Sequence, residues 1–203
     1  MKKRKITAAL ACLAGFILWT TLQRFVDVRP IGAEGSSVGF AALNGWFHDF
    51  TGVHMTLYTI TDWLSLIPLG FVAGFGLLGF VQLIRGKLER SIIVLGFFYA
   101  AVLACFAIFE VVVINYRPIL IEGVLEASYP SSTTMLCLSV MPTAAMQLRS
   151  RGFKGWVSIV LTIFAIFMVA ARAISGVHWI TDIIGGILLS AALVGLYDAF
   201  VTQ

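Results

Sequence analysis

Six apolar stretches, each close to the length that crosses the hydrocarbon of a bilayer, occupy most of this chain. A spanning helix needs about 20 mainly apolar residues with the charges gathered outside it. Residues 6–23, 63–84, 91–114, 131–148, 155–171 and 178–200 fit that description. The fifth stretch is short, with Arg172 at its end facing the interface, and the sixth opens on polar residues before turning purely apolar at Ile183. Of the 203 residues, 60% are hydrophobic and 12% charged, where a soluble domain carries roughly a quarter charged. A water-soluble bundle of this size needs charged outer faces, and these helices have few to offer. The expected fold is all-α, a single polytopic membrane domain over residues 1–203 with about six transmembrane helices.

The basic residues set an orientation. The N-terminal Lys2–Lys3–Arg4–Lys5 run, the turn with Arg85, Lys87 and Arg90, and the turn with Arg149, Arg151 and Lys154 hold ten of the fourteen lysines and arginines. With six spans all three clusters fall on one side, which the positive-inside rule makes cytoplasmic. Both termini are then cytoplasmic, and Arg24, Arg29, Arg117 and Arg172 lie on the opposite side. A basic start before an apolar run also suits a signal peptide, but Trp19, Thr20 and Thr21 stand where a small-x-small cleavage site is needed, so a retained first helix is expected. The net charge of +4 is too small and too scattered for nucleic acid. Cys12, Cys105 and Cys137 lie within apolar runs and read as packing residues rather than a disulfide framework.

The longest outer connection runs from residue 24 to 62. Within it, residues 38–50 mix Phe40, Leu43, Trp46 and Phe47 with Asn44 and His48, which suits an amphipathic helix in the interface or an ordinary loop. Gly70-x-x-x-Gly74 and Gly185–Gly186 are expected at close helix contacts.

Ionisable groups bordering membrane spans are costly and need a reason. Glu110 lies inside the third apolar run, Arg117 follows it by seven residues, and Arg172 ends the fifth. His178 and Asp182, four apart, share a helical face. The fourth stretch begins Tyr129-Pro130-Ser131-Ser132-Thr133-Thr134, a helix start that presents free N–H groups to an anion. Two arginines, a helix start and a His–Asp pair on one side of the membrane ask for a phosphate. Arginine offers a planar fork of donors. His178 can attack phosphorus through one ring nitrogen while Asp182 holds the proton on the other. No metal or other cofactor is expected, because positioning and charge stabilisation carry phosphoryl transfer. A lone His–Asp pair is as readily a capping feature, and Arg172 an interfacial anchor.

Here the sequence resembles the type 2 phosphatidic acid phosphatase family, the lipid phosphate phosphatases related to vanadium haloperoxidases. That family carries Lys-x6-Arg-Pro, Pro-Ser-Gly-His and Ser-Arg-x5-His-x3-Asp. This chain has Glu110-x6-Arg117-Pro118, Pro130-Ser131-Ser132-Thr133 and Ala171-Arg172-x5-His178-x3-Asp182. The likeness covers about residues 91–197. It implies a lipid phosphate or diphosphate as substrate, and the orientation read from the basic residues puts the site on the non-cytoplasmic side of a cell membrane. It makes His178 the nucleophile and Asp182 its orienting partner, with Arg117, Arg172, Ser131 and the amide of Ser132 binding phosphoryl oxygens.

Two positions depart from the pattern. Glu110 stands where the family binds phosphate with lysine, and Thr133 where a histidine protonates the leaving group. An ionised Glu110 is expected to pair with Arg117 or Arg172; a protonated one can donate a hydrogen bond. Thr133 cannot act as an acid near neutral pH. Two readings follow: an active lipid phosphatase that favours diphosphates, or a catalytically degenerate protein that binds, senses or moves lipid phosphates. His48 or His54 is a speculative replacement acid. The identity of the lipid and the oligomeric state are not written in the sequence.

Overall fold

The structure, a computed structural model, describes residues 2–201. Among them are eight α-helices: α1 (Lys2–Leu22), α2 (Ala41–Thr51), α3 (Met55–Leu64), α4 (Leu66–Ile84), α5 (Arg90–Val111), α6 (Ser132–Ser150), α7 (Gly155–Ile174) and α8 (Ile180–Val201). Only isolated β-bridges occur among the described residues, in the connections. The all-helical expectation is met. Five segments are long and apolar enough to cross a membrane: α1, the α3–α4 pair over Met55–Ile84, α5, α7 and α8.

The remaining expected span behaves differently. Residues 131–148 do form a helix, α6, but it is not among the five segments with the apolarity of a span. It packs against α4, α5, α7 and α8, so its side chains meet protein and not lipid. Thr133, Thr134, Ser139, Thr143 and Gln147 are all buried along it. Their polar groups are largely answered inside the bundle: Thr143 bonds back to the Ser139 carbonyl at 2.8 Å, and Gln147 donates to the Tyr197 hydroxyl at 2.5 Å. By contrast α5, α7 and α4 present Phe97, Ile163, Ile166 and Leu77 outward, the surface a hydrocarbon solvent accepts.

Glycine contacts split the two expectations. On α8, a Cβ at Gly185 would lie 2.4 Å from the Tyr129 ring, and one at Gly186 would lie 3.0 Å from Thr134. Those two glycines let α8 close on the start of α6, as expected. Gly70 and Gly74 have nothing within 4 Å of a built Cβ. That expected helix contact is absent, because these two glycines of α4 line an open groove.

The bundle has two unlike ends. At one, Lys5 pairs with Asp198 at 2.8 Å and Arg151 with Glu89 at 2.7 Å, gathering the N-terminus of α1, the C-terminus of α8 and two basic turns. At the other, α2 forms where an amphipathic helix was one of the expectations, and it docks by its polar side. The Asn44 amide donates to the Thr181 hydroxyl at 3.0 Å and accepts from the Thr181 N–H at 3.3 Å. Trp46 and Phe50 stack on its exposed face at 6.0 Å. The helix therefore braces the start of α8 while keeping aromatic rings outward.

Candidate phosphate site

The α7–α8 connection carries the densest set of functional side chains. Gly176 has a φ of +71°, and a Cβ there would lie 2.1 Å from the Gly52 carbonyl oxygen. Only glycine lets the Gly52 backbone press this close. The His54 N–H donates to the Ser175 carbonyl at 2.9 Å, so the segment between α2 and α3 clamps the loop just ahead of His178.

Asp182 fixes the other flank. It is fully buried and lies in the first turn of α8. One carboxylate oxygen accepts from the Trp179 N–H at 3.0 Å, a reach back over the helix start in the manner of a capping box. The other accepts from the Asn115 amide at 3.0 Å, and Asn115 donates also to Gln23 at 2.6 Å. The Trp179 indole donates to the Tyr116 carbonyl at 2.8 Å. This lattice holds the carboxylate 3.7 Å from His178 Nδ1, too long for a hydrogen bond and close enough to set which nitrogen keeps the proton.

His178 is 3% exposed, and its Nε2 faces Arg117 Nη1 at 3.4 Å. Burial pushes its pKa down to about 4, with Asp182 opposing the shift and Arg117 and Arg172 adding to it. The imidazole is therefore neutral at physiological pH, with a lone pair free on one nitrogen.

The two arginines are joined by a residue that the sequence did not single out. The Tyr58 ring of α3 has the Arg172 guanidinium 4.8 Å and the Arg117 guanidinium 5.9 Å from its centroid. One aromatic ring thus offsets part of the repulsion between two buried cations. Each arginine also has a carboxylate: Arg172 Nη2 lies 3.5 Å from Asp62, and Arg117 Nε lies 2.9 Å from Glu126. The pairing expected for Glu110 is thereby corrected. Glu110 makes no ion pair among the described residues, because Asp62 and Glu126 reach the arginines first.

At the start of α6, Ser131 is the N-cap, and its hydroxyl accepts from the Thr134 N–H at 3.5 Å. Its own N–H donates to the Asp182 carbonyl at 3.1 Å, and the residue is fully buried. Ser131 is thus occupied in joining α6 to α8. Ser132 reaches the cavity wall instead.

That cavity has a volume of about 660 Å³ and is lined by Arg117, His178, Ser132, Glu110 and Glu126, with aromatic rings around them. Thr133 lies apart. It lines a second, mainly apolar cavity of about 590 Å³ with Asp62, Leu69, Leu103 and Leu136; Phe106, Ser132 and Met135 are common to both. His48 and His54 line neither. The His48 ring packs on Trp179 at 5.6 Å, and His54 Nε2 meets the Thr51 carbonyl at 2.8 Å. The structure thus brings Arg117, His178 and Asp182 into direct succession and links Arg172 through Tyr58. Asp62, Glu126, Tyr58 and Asn115 were missed in the sequence; only their polarity near predicted span ends could have raised them.

No protein-family model and no curated protein matches the chain. Among solved structures, it is similar to the first transmembrane PAP2 type phosphatidylglycerolphosphate phosphatase from Bacillus subtilis, with a TM-score of 0.63 and 16% identity over 95% of each chain. Across nearly its whole length, this protein therefore has the fold of a transmembrane PAP2-type phosphatase.

Proposed function

We propose that this protein is an integral-membrane lipid phosphatase that works through a phosphohistidine. The observation that carries the reading is the succession Asp182, His178 and Arg117, the last two at the wall of one cavity, with a neutral imidazole between a buried carboxylate and a guanidinium. The fold shared with a membrane phosphatidylglycerolphosphate phosphatase supports it.

His178 Nε2 attacks phosphorus; the N–P bond forms as the bond from phosphorus to the leaving oxygen breaks. Nδ1 keeps its proton, and Asp182 balances the positive charge that develops on the ring. Arg117, Arg172 and the N–H of Ser132 hold the phosphoryl oxygens. Water then attacks phosphorus, the N–P bond breaks, and one proton of that water goes to solvent or the released phosphate. Histidine returns neutral. Thr133 supplies no acid, so an alcohol must take its proton from water, whereas a phosphate leaving group with a pKa near 6 needs little help. A diphosphate is the better substrate on that ground.

In this reading α6 is a sixth, enclosed crossing. Both termini are cytoplasmic with the basic end of the bundle, and the site opens on the other side. Purified protein in lipid nanodiscs should release phosphate from lipid diphosphates faster than from matched monoesters, and His178→Ala should abolish release from both. No release from either class between pH 4 and 9 would overturn the catalytic reading.

A second reading has its own observation. Both arginines already hold carboxylates, and Glu110 adds a third at the cavity wall. A protein that binds lipid phosphates without turnover would show headgroup binding that survives His178→Ala.

A further inference from the structure

The cavity beside His178 is built for more than a phosphate. Arg117 and His178 form one side, and Glu110 and Glu126 also line it. A bare dianion entering there meets two carboxylates, while the nearest guanidinium is already engaged by Glu126 at 2.9 Å. Two further observations point to a ligand. The buried His178 ring stands at the wall of this space, with Nδ1 turned to Asp182 at 3.7 Å and Nε2 to Arg117 at 3.4 Å. The volume of about 660 Å³ also exceeds what a phosphate group alone fills.

We propose that the cavity takes a zwitterionic headgroup: a phosphate ester whose alcohol carries an ammonium group. The phosphate lies at Arg117 and His178, and the ammonium lies with Glu110 and Glu126. This assignment rests on the phosphate-site reading above and adds the class of headgroup.

Three physical points support it. An ammonium near Glu126 takes over that carboxylate and frees the Arg117 fork for phosphate, so one ligand makes the exchange without leaving a charge unpaired. Phe106, Phe109 and Tyr116 line the same cavity, and aromatic rings attract a cation. A ligand with both charges also enters a half-buried site with less net charge to desolvate than a dianion. Glu110 then has a purpose: the positive charge on that side of the site belongs to the ligand.

The test compares two lipids that differ only in the cation. A long-chain 2-aminoalkyl phosphate and its N-acetyl derivative share chain and phosphate. Phosphate release is measured with the wild-type protein, and binding with His178→Ala by displacement of a fluorescent lipid phosphate. The amine form should be preferred about tenfold or more. Glu110→Gln and Glu126→Gln should each reduce that preference, and Glu110→Lys should invert it. Equal handling of the two lipids, or a preference unmoved by all three variants, overturns the proposal while leaving phosphatase activity intact. Preferential binding of the amine form without release supports the headgroup assignment and sinks the catalytic reading. Failure to bind or cleave either lipid overturns both.

Discussion

The two sides of the candidate phosphate site are made in opposite ways. On the His178 side, polar atoms are tied to backbone and to buried amides. Asp182 accepts from Trp179 and Asn115, Ser131 donates to the Asp182 carbonyl, and the His54 N–H clamps Ser175. On the other side, Asp62 and Glu126 are side chains at partly exposed positions, each holding an arginine through one ion pair. The first side is set before any ligand arrives. Under the proposed function, the second changes partners when an anion enters. Preorganised groups carry chemistry, because they need no reorganisation at the moment of reaction; exchangeable ion pairs in contact with water are worth little and can be traded.

Breaking the fixed side should have the largest effect. Asp182→Ala removes the acceptor of two buried donors and the group that orients His178. A loss of about 10³–10⁴-fold in kcat is expected, by analogy with loss of the carboxylate behind other catalytic histidines. Steady-state phosphate release measures it. Asp182→Asn should recover folding stability more than rate, which separates positioning of the ring from support of the helix start.

Arg172→Lys tests the boundary between the two sides. Lysine keeps the charge and loses the planar fork and its packing on Tyr58. We expect kcat/KM to fall by about 10²-fold. A variant within threefold of wild type would mean that Arg172 does not bind phosphate.

The pH response is intermediate. With the His178 pKa lowered to about 4 by burial, the imidazole should titrate near pH 4 by NMR rather than near 6.5. The sign for stability follows: between pH 6.5 and 4 the unfolded chain binds the extra proton, so this group's contribution is intact above 6.5 and is lost as pH falls through 4. A midpoint at 6 to 7 would contradict the burial of the ring.

The smallest effect belongs to the exchangeable side. Asp62 has a side chain 64% exposed, so Asp62→Asn should tighten inhibition by inorganic phosphate by only about 2–5-fold. No change at all would indicate that Asp62 does not compete with phosphate for Arg172.

Much of the fixed side was legible in the sequence because its logic is local. His178 and Asp182 share a helical face by spacing, and Arg172 and Arg117 stand out as charges beside apolar runs. The exchangeable side was not legible. Asp62 precedes Trp63 in a span that the pattern began at Trp63, and Tyr58 lies in a segment with no periodic signal beyond a few apolar residues. Neither residue carries a sign of the arginines they meet, which are about 60 and 110 positions away in the chain. Glu126 is one acid in the long connection between α5 and α6. The pairing expected for Glu110 failed for the same reason: nearness in sequence to Arg117 did not decide which carboxylate reached it.

Sequence alone determined that this chain is a bundle of membrane-length helices with basic turns at one end and a His–Asp pair beside two arginines at the other. Hydrophobic length and helical spacing are local properties, and the bilayer requirement leaves them few outcomes. Tertiary structure decided which helix is enclosed, which glycines are contacts and which carboxylates hold the arginines. Those depend on what packs against each surface: α6 can be polar because protein surrounds it, Gly185 is needed because Tyr129 lies against it, and Gly70 is not because nothing does.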